Sequence, residues 1–84
     1  MHNGNGREIT AKEVRERFQI SYATLNHYTN LGLFSIVRKI GNRRIFDKEE
    51  IEMRYPLIAR LAHEGYPLGL IRKKIMGSAK YELL

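Results

Sequence analysis

Apolar residues in the first third of the chain recur at helical steps. Val14 and Phe18 lie one turn apart, with Ile9 just upstream, and Leu25 and Tyr28 lie three apart further on. The first segment opens on Thr10 with Glu13 three positions later, the reciprocal pattern of a capping box. Its periodicity turns Lys12, Arg15 and Glu16 toward water. The second opens on Ser21, whose hydroxyl can accept from the unpaired amides of a first turn. Only Gln19-Ile20 interrupts the two, so the spacing predicts a helix-turn-helix. The second helix ends near Asn30-Leu31-Gly32, where Gly32 suits a left-handed cap, and Leu33 and Phe34 follow as hydrophobic anchors.

The pattern then shortens. Ser35 to Ile40 and Arg43 to Phe46 are β-branched runs flanking Gly41-Asn42, and glycine first in a two-residue loop predicts a type II′ hairpin. Asp47, with Glu50 three positions later, begins a third helix by a second capping box. Ile51, Tyr55, Ile58, Leu61 and Ala62 give it a core-facing stripe. Pro56 lies inside this run and is expected to kink or split it near Arg54-Tyr55. Gly65 closes the element, with Tyr55 and Tyr66 read as core or hinge aromatics. A fourth helix follows from about Leu68 to Met76, with Leu68, Ile71 and Ile75 as its apolar edge, and Gly77 is expected to stop it. The expected organisation is a disordered tail over residues 1–8, one domain over 9–77 and a C-terminal tail over 78–84. The fold class is mainly α: a winged helix-turn-helix of about four helices with a two-stranded β-hairpin wing.

Charge changes this picture once it is located. The formal net charge of the 84 residues is +6. Residues 17–46 hold Arg17, Arg38, Lys39, Arg43 and Arg44 with no acid, whereas residues 1–16 balance. The excess therefore sits on the block containing the second helix and the hairpin, the footprint expected for a polyanion partner. The second helix has an acid-free face of Tyr22, Ala23, Asn26, His27 and Asn30 opposite Leu25 and Tyr28. A chain of this size buries only about two-thirds of its unfolded surface and leaves little room for a substrate cavity. It has no cysteine, which removes disulfides, thiolate metal sites and a cysteine nucleophile. Its apolar runs are too short to span a membrane, and its N-terminus lacks the apolar segment of a signal peptide. A cytoplasmic, nucleoid-associated protein without cofactor, metal or catalytic residues is expected.

The order helix, turn, helix, Gly-Leu-Phe, basic hairpin, long helix and Glu-Gly-Tyr-Pro-Leu helix resembles the DNA-binding domain of the MerR family over about Ile9 to Ile75. Thr24-Leu25-Asn26-His27-Tyr28 stands where the family has Thr-Leu-Arg-Tyr-Tyr, and Leu31-Gly32-Leu33-Phe34 is similar to its Gly-Leu-Leu segment. Arg44-Ile45-Phe46-Asp47 resembles the Arg-x-Tyr-Asp that closes the wing, and Gly65-Tyr66-Pro67-Leu68 its Gly-Phe-Ser-Leu joint. The resemblance implies that the second helix enters the major groove and the wing reaches the backbone or minor groove. It places Tyr22, Ala23 and Thr24 at the helix tip against base edges and phosphates, and Tyr28 and Arg44 on phosphate. Asn26 and His27 depart from the family's arginine and tyrosine, which removes one charge from the phosphate-facing turn. The dimerising helix and effector domain of family regulators are not present in these residues.

The candidate DNA-binding residues are thus Ser21, Tyr22, Ala23, Thr24, Asn26, His27 and Tyr28 of the second helix, with Arg38, Lys39, Arg43 and Arg44 of the wing. Asn26 can pair bidentately with adenine or bond a phosphate. Arg43 and Arg44 are adjacent on a strand and point to opposite faces, so the contact falls to Arg44 and Arg43 lies nearer solvent. Arg38 is expected to reinforce whichever face meets the duplex. The favoured partner is double-stranded DNA, bound as a transcriptional regulator, with a homodimer or side-by-side copies supplying tight binding. The alternatives are an excisionase-type recombination or architectural factor, and a protein-interaction adaptor reusing the same domain. An acid-free basic wing argues against the adaptor.

Overall fold

A computed structural model describes the backbone of residues 7–83 and the side chains of residues 7–77. Its elements run β1 (Glu8–Thr10), α1 (Ala11–Phe18), α2 (Tyr22–Asn30), β2 (Ile36–Ile40), β3 (Arg43–Asp47), α3 (Lys48–His63) and α4 (Leu68–Leu83). The expected winged helix-turn-helix is present, with one addition. Glu8–Thr10 joins the hairpin as a third, antiparallel strand, giving the sheet order β1-β3-β2. Glu8 therefore belongs to the fold rather than to a tail; residues 1–6 lie outside the described residues. At the other end, Gly77 does not stop the last helix, whose backbone continues to Leu83.

The first three helices start where their caps dictate. Thr10 and Glu13 form the complete capping box of α1: the Glu13 amide donates to the Thr10 hydroxyl at 3.1 Å and the Thr10 amide to Glu13 Oε1 at 2.9 Å. Ser21 caps α2 by accepting from the Thr24 amide at 3.0 Å. Asp47 caps α3 by accepting from the Glu50 amide at 3.1 Å, but the reciprocal half of the expected box is missing. Glu50 turns away, because it accepts instead from the amide and hydroxyl of Ser35 at 2.7 and 3.0 Å and pairs with Arg54 at 3.3 Å.

The tight turn between α1 and α2 rests on Gln19 in the left-handed conformation, at φ 55°. Among the described residues it is the only non-glycine with a positive φ. After α2 the chain closes as a Schellman cap with Gly32 at φ 81°: the Leu33 amide donates to the Tyr28 carbonyl and the Gly32 amide to that of Thr29. Ile40 pairs with Arg43, leaving Gly41-Asn42 as a two-residue loop. Gly41 alone takes the positive φ, as a type II′ turn requires.

The core gathers Ile9, Val14, Leu25, Leu33, Phe34, Phe46, Ile51, Ile58 and Ile71, one or two residues from nearly every element. Phe18, Tyr28, Tyr55, Leu61, Leu68 and Ile75 pack around it, half-buried. Two residues depart from the periodicity: Ala62 is exposed, and Tyr66 is an exposed surface aromatic beneath the Lys74 ammonium, 4.8 Å from its ring centroid. Pro56 does not split α3. It sits on the solvent side of one continuous helix, where its missing N–H leaves a carbonyl open to water.

Two stability tests follow from these local conformations. Gln19→Gly should raise the unfolding free energy measured by urea titration by about 0.5–1 kcal/mol, because glycine occupies the left-handed region without the penalty of a Cβ. Glu50→Ala should lower the unfolding free energy by roughly 1–2 kcal/mol, since it removes the acceptor of the Ser35 amide and unpairs the half-buried Arg54, whereas Asp47→Ala removes one cap and about 1 kcal/mol.

Candidate nucleic-acid interface

The first turn of α2 opens toward solvent at Tyr22 and Ala23. Leu25 is fully buried and fixes the roll of the helix, so Tyr22, Ala23, His27 and Asn30 face solvent and Asn26 is half-buried. Ser21 and Thr24 are joined by their hydroxyls at 2.9 Å, so both hold the helix start together. Tyr28 is drawn into the core: its ring meets Phe34 edge-on at 5.5 Å. Burial pushes its hydroxyl above the ordinary phenol range, with Tyr55 adding to the effect, and keeps it a neutral donor near neutral pH.

Strand register sorts the wing cations. Phe46 faces the core, and Arg44, two residues before it on β3, shares that side with its partner Lys39. Arg43 and Arg38 lie on the opposite side, paired with Ile40 and Ile45. The two-residue loop sets this register by pairing Ile40 with Arg43, and a bulge at Val37 interrupts it only further along, where Ile36 pairs with Phe46. Arg38 thus does not reinforce Arg44. It donates to Glu8 at 2.8 and 3.2 Å, and that carboxylate holds its guanidinium above the ordinary range, first by hydrogen bonding and then by charge.

Two of the cations counted in the basic block are therefore neutralised: Arg38 by Glu8 and Arg17 by Glu52 at 2.6 Å. Lys39, Arg43 and Arg44 make no ion pair among the described residues, and neither do Lys12 and Arg15 of α1. Arg15 and Arg44 approach the Tyr22 ring, 5.5 and 5.4 Å from its centroid, and Arg44 also lies 5.6 Å from Phe46. One Arg44 nitrogen, Nη2, is buried without a hydrogen-bond partner. Lys12, Arg15, Tyr22, Asn42, Arg43 and Arg44 line a cleft of about 370 Å³ between the start of α1 and the wing tip.

Sequence reasoning passed over Lys12 and Arg15, because Glu13 and Glu16 balance them in a residue count. The available signal was the capping box: once Glu13 is committed to Thr10, the two cations three apart have lost a nearby counterion. Among the described residues, no group of His, Asp and Glu side chains could hold a metal ion. No described helix is long and apolar enough to cross a membrane.

The family described as MerR HTH family regulatory protein matches residues 9–77 of the chain. Neither the curated proteins nor the solved structures contain a significant match.

The stack at the start of α2 makes a prediction. Tyr22→Leu should lower stability by about 1 kcal/mol, the sum of two exposed cation–π contacts, whereas Tyr22→Phe should change it by only a few tenths. Thermal unfolding of the three proteins followed by circular dichroism measures the difference.

Proposed function

The chain belongs to the MerR family of helix-turn-helix regulatory proteins, and on that premise we propose that it binds double-stranded DNA sequence-specifically, with α2 in the major groove and the wing on the backbone or minor groove. The observation that carries this reading is the pairing of an acid-free, solvent-facing α2 with wing cations that have no counterion among the described residues. Lys39, Arg43 and Arg44 offer charge to phosphates, which sets affinity and register without reading sequence. Ser21, Tyr22, Ala23, Thr24, Asn26 and His27 stand at the tip and along the exposed side of α2, where base edges are read. Asn26 is the residue suited to adenine, through its side-chain amide.

Tyr28 enters this scheme through its hydroxyl alone, since its ring is committed to Phe34. Arg38 contributes least, because a phosphate must compete with Glu8 for it. A single module of this size buries roughly 600–1,000 Å² on DNA, so tight binding calls for a dimer or for copies bound side by side. Control of transcription is the role this binding serves. A protein-adaptor role is disfavoured because three uncompensated cations are costly to cover with an apolar partner.

Duplex affinity should fall with rising salt at about 0.9 log units per phosphate contact per log unit of salt. Arg44→Ala should weaken every duplex alike and lower that slope by about one. Asn26→Ala should instead narrow the gap between a selected site and a random one, by roughly 1–3 kcal/mol. A randomised-pool selection that enriches no duplex sequence would refute sequence-specific binding.

A further inference from the structure

The cleft between α1 and the wing joins two elements that the family reading treats separately. Helical periodicity leaves Lys12 and Arg15 as ordinary solvent-facing residues of the first helix. The fold instead sets them across from Arg43 and Arg44, so that four cations and the Asn42 amide line one open space. Among the described residues, no carboxylate lines it. Glu13, the acid next to Lys12 in sequence, bonds the amide and hydroxyl of Thr10 at 2.9 and 3.1 Å.

The geometry points to this cleft as a second phosphate-binding site, which takes a phosphodiester of the DNA backbone between Lys12 and Arg15 on one side and the wing arginines on the other. The inference rests on the DNA-binding reading above and adds α1 to the surface that grips the duplex. Three features support it. None of the four cations makes an ion pair among the described residues, so an arriving phosphate displaces no internal partner. Arg15 and Arg44 both lie against the Tyr22 ring, and a guanidinium already positioned by an aromatic ring loses less freedom when it binds. Arg44 lines the cleft with its guanidinium held against both the Tyr22 and Phe46 rings, 5.4 and 5.6 Å from their centroids, so its charge is fixed at the wall. The cleft is open rather than closed, which suits a phosphate that continues as a chain at both ends.

Tyr22 acquires a specific part in this arrangement. It is the spacer that keeps two like charges in one place, by presenting a ring to each guanidinium. The first helix then contributes charge where α2, with Asn26 and His27, has little of its own.

The test is a fluorescence anisotropy titration of a labelled random-sequence duplex with the full chain, at salt concentrations from about 50 to about 200 mM. The double variant Lys12→Ala/Arg15→Ala should bind every duplex more weakly and lower the salt slope by roughly 0.9 for each phosphate it no longer neutralises. Arg15→Lys, which keeps the charge, should retain most of the slope. Arg60→Ala/Lys73→Ala, which removes two exposed cations elsewhere, should leave it close to that of the parent chain. A Lys12→Ala/Arg15→Ala slope equal to the parent's, or equal to that of the Arg60→Ala/Lys73→Ala control, overturns the cleft and leaves the reading of α2 and the wing intact. If inorganic phosphate shifts the Lys12 and Arg15 NMR signals while the duplex slope is unchanged in the double variant, the site takes a free anion and the backbone assignment is overturned. A parent chain with no salt-dependent duplex binding overturns the DNA-binding reading itself.

Discussion

The segment Leu31–Ser35 is the hinge on which the two candidate DNA-facing elements are set, and it is held by charged side chains from the other half of the molecule. Arg54 donates to the Leu33 carbonyl at 2.8 Å and to that of Gly32 at 3.4 Å. Arg72 donates to the Leu31 carbonyl at 2.6 Å, and Glu50 takes the Ser35 amide. Carbonyls in a connector without regular secondary structure have no ladder partner, and a charged guanidinium bonds them more strongly than a neutral donor. The result is a short connector with little freedom between the end of α2 and the start of β2. The angle between α2 and the wing is then a property of α3 and α4 as much as of the connector.

The same economy of charge sorts the basic residues into two populations. Arg17, Arg38, Arg54 and Arg72 are occupied within the fold, bonding carboxylates or carbonyls. Lys12, Arg15, Lys39, Arg43 and Arg44 make no such ion pair among the described residues. A net charge of +6 cannot distinguish the two, yet they have different physical meanings. Exposed ion pairs such as Arg38–Glu8 add little to stability, but they cancel a charge at a chosen place and so shape the field that a polyanion meets.

Much of the architecture was legible in the chain because its punctuation is local. Thr10, Ser21 and Asp47 cap the helices they precede, Gly32 closes α2, and Gly41 turns the hairpin with the expected loop. What was not legible depends on partners distant in sequence. Glu50 reads as half of a capping box until Ser35 is seen to compete for it. Glu8 reads as tail because a three-residue strand carries no periodicity, and it becomes ordered only against β3. Arg38 and Arg44 look equivalent on paper, but the hairpin register pairs Lys39 with Arg44 and so puts the two arginines on opposite sides of the sheet, before a bulge at Val37 breaks that register. Arg15 lies seven residues before Tyr22, across a turn whose geometry depends on a left-handed Gln19 that no residue preference announces.

That bulge has a bearing on the molecule away from any ligand. β2 is one edge of the sheet, exposed along its whole length, and it shows Ile36, Val37 and Ile40 to solvent. An edge of this kind is a template for strand addition by another chain. Two devices oppose it: the cation Lys39, which makes no ion pair among the described residues, and the bulge that breaks the strand's ladder of amides and carbonyls. Charge repulsion between copies weakens as salt screens it, whereas an interrupted hydrogen-bond register is built into the backbone. In concentrated electrolyte the protection of this edge against aggregation therefore falls to the position of one extra residue.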